Sequence, residues 1–263
     1  MTASAVLLKL GGSFITDKRR NAFLHEERVR FAGREIAAAQ RAAPELRLIV
    51  GHGAGSFGHV LARDYQAVQG IHPHYGWQGF HAIRRSMAGM NLRVLELLAA
   101  EGCWPIALQP SAFMTADNGR IAAVEFAVFD HVLACGQMPL IHGDIVLDRS
   151  RGFTIISTEA QFRAIAAHCP IEGIVMITDV PGILAADGSV IRQLHPAALA
   201  TTALGGAAGA DVTGGMRHKV ESVFELLRLN PQSSARIISG LGRDGSVRDA
   251  ILGQTDSGTL LTL

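Results

Sequence analysis

Val50-Gly51-His52-Gly53-Ala54-Gly55-Ser56-Phe57-Gly58-His59 places four glycines within eight residues. It follows an apolar run, Leu46 to Val50 broken by Arg47, and leads into Val60-Leu61-Ala62, which can begin a helix. A glycine turn between a strand and a helix start gathers free backbone N–H groups at the positive end of a dipole, where phosphate or another anion binds. Glycine also lets a ligand approach where a Cβ would clash. The spacing Gly53-x-Gly55-x-x-Gly58 fits the dinucleotide fingerprint as well. That reading needs a second strand ending in an acid about 20 residues further on. His72 to Gln78 offers neither strand nor acid. The loop therefore reads as a phosphate site of another kind, with a tight turn that holds no ligand as the alternative.

Lys9 sits inside the apolar run Ala5 to Leu10, just before Gly11-Gly12-Ser13. A lysine in a buried strand is costly unless its ammonium meets an anion, so Lys9 is a candidate ligand contact. Lys18, in Thr16-Asp17-Lys18, reads by itself as an exposed loop charge. Two further patterns fall away. Gly209 to Gly214 approaches a Walker A loop but is followed by Gly215-Met216 in place of Lys-Ser/Thr. His72-Pro73-His74 has no acidic partner and reads as plain loop, so no metal ligand is predicted.

These groups need a scaffold. Helical spacing marks Glu26 to Ala43, Gln78 to Ala100, Phe126 to Cys135, Ser157 to His168 and a helix from Asp211 to about Leu229. Strands are expected at Ala5–Leu10, from Leu46, at Trp104–Leu108, within Met138–Leu147 with a break at His142-Gly143-Asp144, and at Ile171–Ile177, Arg236–Ser239 and Thr259–Leu261. Hairpins are expected at Asp117-Asn118-Gly119 and at Asp148 to Gly152, with a small one around Asp187-Gly188. Alternating strands and helices predict a three-layer αβα sandwich on a largely parallel sheet. In the second helix Trp77, Phe80, Ile83 and Met87 follow the glycine loop, where they could wall an apolar pocket besides packing the core.

With 263 residues the chain can form one large domain or two lobes; 48% hydrophobic and 18% charged residues exclude a disordered chain. A net charge of +1 gives no basic stripe, so nucleic-acid binding is not expected. No run is long enough to cross a membrane. Cys103, Cys135 and Cys169 form no CxxC pair and suggest a reducing, cytoplasmic setting.

Lys9-Leu-Gly-Gly-Ser13, His52 to His59, Gln109-Pro110-Ser111-Ala112-Phe113, His142-Gly-Asp144, Thr178-Asp179 and Asp211-Val-Thr-Gly-Gly-Met216-Arg-His-Lys219 together resemble the amino acid kinase superfamily. Within it they are most similar to isopentenyl phosphate kinase. The resemblance implies ATP- and Mg2+-dependent phosphorylation of a small phosphate monoester, isopentenyl phosphate giving the diphosphate, in a homodimer. It implies an acceptor-phosphate lobe over about residues 1–156 and a nucleotide lobe over 157–263. Lys9 and Lys18 would hold the transferring phosphoryl group, with N–H groups of Gly11 and Gly12 donated near it and Ser13 beside them. Gly53, Ala54 and Gly55 would cradle the acceptor phosphate with Gly58 and Gly143, and His59 would donate to it. Thr178, Asp179, Gly182, Asp211, Thr213, Gly214 and Lys219 would line the nucleotide site.

Lysines, amides and helix ends suit that reaction, because joining two polyanions depends on alignment and charge neutralisation. An ionised acceptor needs no protein base. One departure stands out: the family's Ser-Gly-Asp is Ser157-Thr158-Glu159 here. The family's aspartate orients the active-site lysines; Glu159 keeps the charge on a side chain one methylene longer. That departure leaves open an adjusted lysine geometry, weak activity, another acceptor such as fosfomycin or a furan-methyl phosphate, or a nucleotide-binding regulator without catalysis.

Overall fold

The computed structural model describes residues 4–17, 19–199, 202 and 214–263. Its strands are β1 (Ala5–Leu10), β2 (Leu48–His52), β3 (Ile106–Ala107), β4 (Met114–Asp117), β5 (Arg120–Val124), β6 (Pro139–His142), β7 (Asp144–Asp148), β8 (Gly152–Ile156), β9 (Ile171–Thr178), β10 (Gln193–Leu194), β11 (Ser234–Ser239) and β12 (Thr259–Leu261). Its helices are α1 (Gly12–Ile15), α2 (Glu26–Ala42), α3 (Gly55–Asp64), α4 (Gln78–Ala100), α5 (Pro110–Phe113), α6 (Ala127–Ala134), α7 (Thr158–His168), α8 (Pro196–Leu199), α9 (Gly214–Leu229) and α10 (Ser246–Ile251), with a 3-10 turn at Ala67–Gln69.

Eight strands form the main sheet in the order β10-β12-β11-β9-β1-β2-β6-β3. The pairings are parallel except for β11 with β12. β1 is buried at every position, as a strand covered on both faces must be. Val6, Leu8 and Leu10 face a core shared with α2 and α4, while Ala5 and Leu7 face the core of α7 and α9. The chain leaves β1 for β2 on one side and later reaches β9 on the other. The strand order therefore reverses at β1, and a crevice opens beyond its carboxyl end. A second sheet, β5-β4-β7-β8, stands beside it.

The expected αβα sandwich with a largely parallel sheet is present, and its long elements lie where periodicity put them. The Asp117-Asn118-Gly119 hairpin turns with Asn118 and Gly119 both at positive φ, 48° and 82°, matching strand twist. The expected Trp104–Leu108 strand shrinks to Ile106–Ala107, an edge strand with Trp104 70% exposed. The short elements α1, α5, α8 and β10 carry too few residues to show a period. Strands from residues 1–156 and from 157–263 lie edge to edge in one sheet through the β1–β9 pairing.

α10 has no side-chain cap of its own. Glu35, a buried residue of α2, instead accepts from the amides of Gly245, Val247 and Arg248 at 2.8, 2.9 and 3.0 Å. A carboxylate at a helix N-terminus complements its dipole and its unpaired donors. Glu35→Ala leaves those donors buried and is expected to lower unfolding free energy by about 2–4 kcal/mol, measured by urea titration. A loss below about 0.5 kcal/mol contradicts this account of the cap.

Candidate active site

Register builds the site. Leu10 is level with His52 and with Ile177, and His52 with His142. The turns after these strands consequently open at one height, around a cleft of about 730 Å³. Lys9, Gly11, Gly12, Ser13, Gly53, Ala54, Gly55, His59, Gly143, Glu159, Thr178, Asp179, Gly182 and Lys219 all line it. Of the other expected site residues, Gly214 opens α9, whereas Lys18, Asp211 and Thr213 lie outside the described residues.

The two glycine turns touch backbone to backbone. A Cβ on Gly12 would lie 2.9 Å from Gly55 N, and one on Gly53 would lie 2.8 Å from Gly12 N. Gly55 has φ +48° and a Cβ there would meet Thr16 Oγ1 at 2.1 Å. Thr16 fastens the pair, donating to Gly12 O at 2.7 Å and accepting from Ser56 N at 3.2 Å.

Not every glycine amide is free for a ligand. Gly11 N donates to Ile177 O, Gly53 N to Leu10 O and Gly143 N to His52 O. These glycines serve close approach, contrary to the expected donor role of Gly11. Among the described residues the amides of Gly12, Ala54 and Gly55 have no protein acceptor. Gly58 is buried against Ala54 and Met87, behind the loop.

Lys9 is 7% exposed and its Nζ pairs with Glu159 Oε1. Burial pushes the Glu159 carboxyl up; Lys9, with Lys219 adding to it, more than reverses this, so Glu159 stays below the usual glutamate range. Ser157 Oγ caps α7 by accepting from Ala160 N at 3.1 Å. Thr158 Oγ1 donates to His52 O at 2.7 Å and its methyl lies over Gly51. The added bulk of Thr158 thus faces β2. For Asp179, burial raises the carboxyl, but bonds from Ser13 and Thr178 and the charge of Lys219 bring it below the usual range. Lysines, amides and a helix start converge where two phosphates could meet.

The apolar wall differs from expectation. Ile83 and Met87 are 2% and 0% exposed, on the core-facing stripe of α4 with Met90 and Val94, and do not line the cleft. Trp77 and Phe80 also stand outside the lining, in contact with Phe153 of β8 at 5.6 and 5.9 Å. Apolar lining includes Ile155 and Ile156 of β8 beside Met176, Ile177, Val180, Leu184 and Met216, and only the fold brings these to the cleft. Arg28 was also missed: it lines the cleft from α2 and donates to Phe14 O at 3.0 Å. Nothing in the sequence around Arg28 signals its reach from the first turn of α2 to the one-turn helix α1. A second concavity of about 660 Å³ is lined by Arg192, Arg236 and Arg243 among others, and no lysine or glycine occurs among its described lining residues.

Beneath the cleft Asp144 of β7 is 2% exposed, accepts from Gln109 Nε2 and lies 3.8 Å from Arg84 Nε. Burial prevails over Arg84 and Gln109 and raises its carboxyl from 3.8 to about 7. A raised acid favours the folded state while protonated, so this contribution is lost as pH rises from about 4 to about 7. Asp144→Asn is expected to be roughly neutral at pH 4 and to stabilise by about 2–4 kcal/mol at pH 8, read by urea unfolding at both. Equal effects at the two pH values refute this.

The amino acid kinase family model matches residues 4–239. The isopentenyl phosphate kinase of Methanothermobacter thermautotrophicus is 32% identical over 274 residues, covering 98% of each chain. That of Haloferax volcanii is 32% identical and covers 85% of this chain and 88% of its own. A solved isopentenyl phosphate kinase structure superposes with a TM-score of 0.81 at 27% identity, covering 98% of this chain and 100% of the other. The chain belongs to the amino acid kinase family and, within it, resembles the isopentenyl phosphate kinases.

Proposed function

We propose that this protein transfers the γ-phosphoryl group of ATP to isopentenyl phosphate, forming isopentenyl diphosphate and ADP. The observation that carries the reading is the convergence on one cleft of two abutting glycine turns, Lys9 held by Glu159, Lys219 and His59. The resemblance to isopentenyl phosphate kinases supplies the acceptor. An oxygen of the acceptor phosphate attacks the γ-phosphorus while the bond to the β–γ bridging oxygen breaks, and ADP carries that oxygen away. Amides of Ala54 and Gly55, with His59, hold the acceptor phosphate. Lys9, Lys18 and the Gly12 amide neutralise the phosphoryl group in flight, and Lys219 meets the nucleotide phosphates. Thr178, Asp179, Gly182, Asp211, Thr213 and Gly214 border the nucleotide.

The acceptor's apolar tail would leave the cleft at Ile155. Ile155 lies on the same face of β8 as Phe153, which touches Phe80 and Trp77. Mg2+ belongs to the proposal as the nucleotide's partner, neutralising phosphate charge while keeping most of its waters. No His, Cys, Asp or Glu cluster that could hold a metal occurs among the described residues, and the donor set of lysines and amides fits the nucleotide's phosphates. The division into an acceptor part, residues 1–156, and a nucleotide part, 157–263, follows this assignment.

A homodimer is proposed from the family resemblance, and a cytoplasmic location from the cysteine pattern. Three free cysteines agree with a reducing setting, and no helix among the described residues is long and apolar enough to cross a membrane. Light scattering tests the dimer. The reaction is tested by ADP release with isopentenyl phosphate beside a panel of small phosphates and phosphonates, with the product identified by phosphorus NMR. Turnover with isopentenyl phosphate supports the assignment; preference for another acceptor, or nucleotide binding without transfer, overturns it.

A further inference from the structure

The turns that end β2 and β6 are built alike. His52 and His142 are register partners, both 0% exposed, with rings stacked at 5.2 Å and 20°. Each ring Nδ1 lies 3.2 Å from the carbonyl oxygen of the glycine that follows it, Gly53 or Gly143. A carbonyl oxygen only accepts, so each Nδ1 carries the proton. A second proton would create a buried imidazolium. Burial, above all, holds both rings below the usual histidine value, His142 at about 3, so both are neutral Nδ1–H tautomers.

His142 Nε2 is buried with no partner among the described residues, which a lone pair tolerates better than an N–H. His52 Nε2 lies 3.1 Å from Asn91 Oδ1; with Nδ1 carrying the proton, Nε2 accepts, and the Asn91 amide, whose two ends are assigned from hydrogen bonding, is turned so that its NH2 group donates.

The tautomer has a geometric consequence. In a trans peptide C=O and N–H point in opposite directions. Holding the Gly53 carbonyl against the His52 ring turns the N–H of Ala54, the other end of that peptide, away from the ring. Ala54 lines the cleft, and its amide has no protein acceptor among the described residues.

We propose that His52 is a positioning residue: its Nδ1–H fixes the Gly53–Ala54 peptide so that the Ala54 amide faces the acceptor's phosphate, and the stacked His142 holds the ring in place. His52 acts through the loop and does not touch the substrate. This rests on the phosphate-acceptor reading above.

The test compares His52→Asn, His52→Gln and His52→Phe. Asparagine keeps a donor near the Nδ1 position, glutamine moves it toward Asn91, and phenylalanine keeps only the ring. Glutamine and phenylalanine are expected to raise KM for isopentenyl phosphate about 10-fold or more with KM for ATP within about 2-fold; asparagine is expected within about 3-fold of wild type. Equal effects of all three, or parallel rises in both KM values, point to packing alone and overturn the proposal. Because a variant of a buried residue can misfold, nitrogen-15 NMR of the unmodified protein supplies a second arm. A protonated Nδ1 and bare Nε2 on His52 at neutral pH are expected; an Nε2–H tautomer or an imidazolium overturns it. Absence of wild-type transfer to any phosphate sinks the functional reading, while the tautomer still decides what the ring does.

Discussion

Lys9→Met is expected to reduce kcat by about 10²–10³-fold, with a protein that still folds. The lysine lies inside β1, where a buried charge needs a fixed partner, and Glu159 provides it while leaving Nζ at the cleft. Removing the ammonium has two separable effects. It withdraws a positive charge from the transferring phosphoryl group, and it strands the Glu159 carboxylate, whose side chain is only 16% exposed. Stranding one member of a buried pair costs about 3–5 kcal/mol.

The pH dependence identifies this term. In the wild type Glu159 is held below its usual value by Lys9, so its contribution is present above the ordinary glutamate range and is lost as pH falls. In Lys9→Met, burial is left opposed by the Glu159 backbone amide and, less, by Lys219, and the stability deficit is large at pH 7 and shrinks as acid neutralises Glu159. The double variant Lys9→Met/Glu159→Gln is expected to regain most of the stability and none of the turnover. Recovery of activity with stability refutes a role for the ammonium in transfer. Shortening the partner, Glu159→Asp, is expected to lower kcat several-fold, because Lys9 and Glu159 already meet and Thr158 anchors α7 to β2. A gain in activity would show instead that the longer acid is a handicap.

His59→Ala is the second large effect expected. His59 stands in the first turns of α3, exposed at the cleft beside Ala54 and Gly55. Its loss is expected to reduce kcat/KM for the acceptor about 10²-fold while ATP affinity, measured by calorimetry, changes by less than about 2-fold. The separation follows from place: the nucleotide's expected contacts come from β9, α9 and their loops, across β1 from α3. Equal losses for both ligands remove His59 from the acceptor side.

Local chemistry made much of this molecule legible in one dimension. A buried lysine next to glycines, a glycine turn between strand and helix, and a continuous apolar strand each carry their meaning within about ten residues, because dipoles, φ restrictions and desolvation act locally. The helix periods of α2 and α4 likewise announced both elements. Tertiary structure decided which donors remain for a ligand. Gly11, Gly53 and Gly143 place their amides on neighbouring strands, a matter of pairing register that no local pattern records.

The apolar wall shows the same division. Ile83 and Met87 have the period of a core stripe and of a pocket wall alike, and packing consigned them to the core while β8 brought Ile155 to the cleft. Thr158-Glu159 could be noticed in the sequence, but its accommodation depends on the His52 carbonyl and Lys9, more than 100 residues away along the chain. Residue types and their near neighbours settle which groups can neutralise phosphate; the order of strands around β1 makes them do so together.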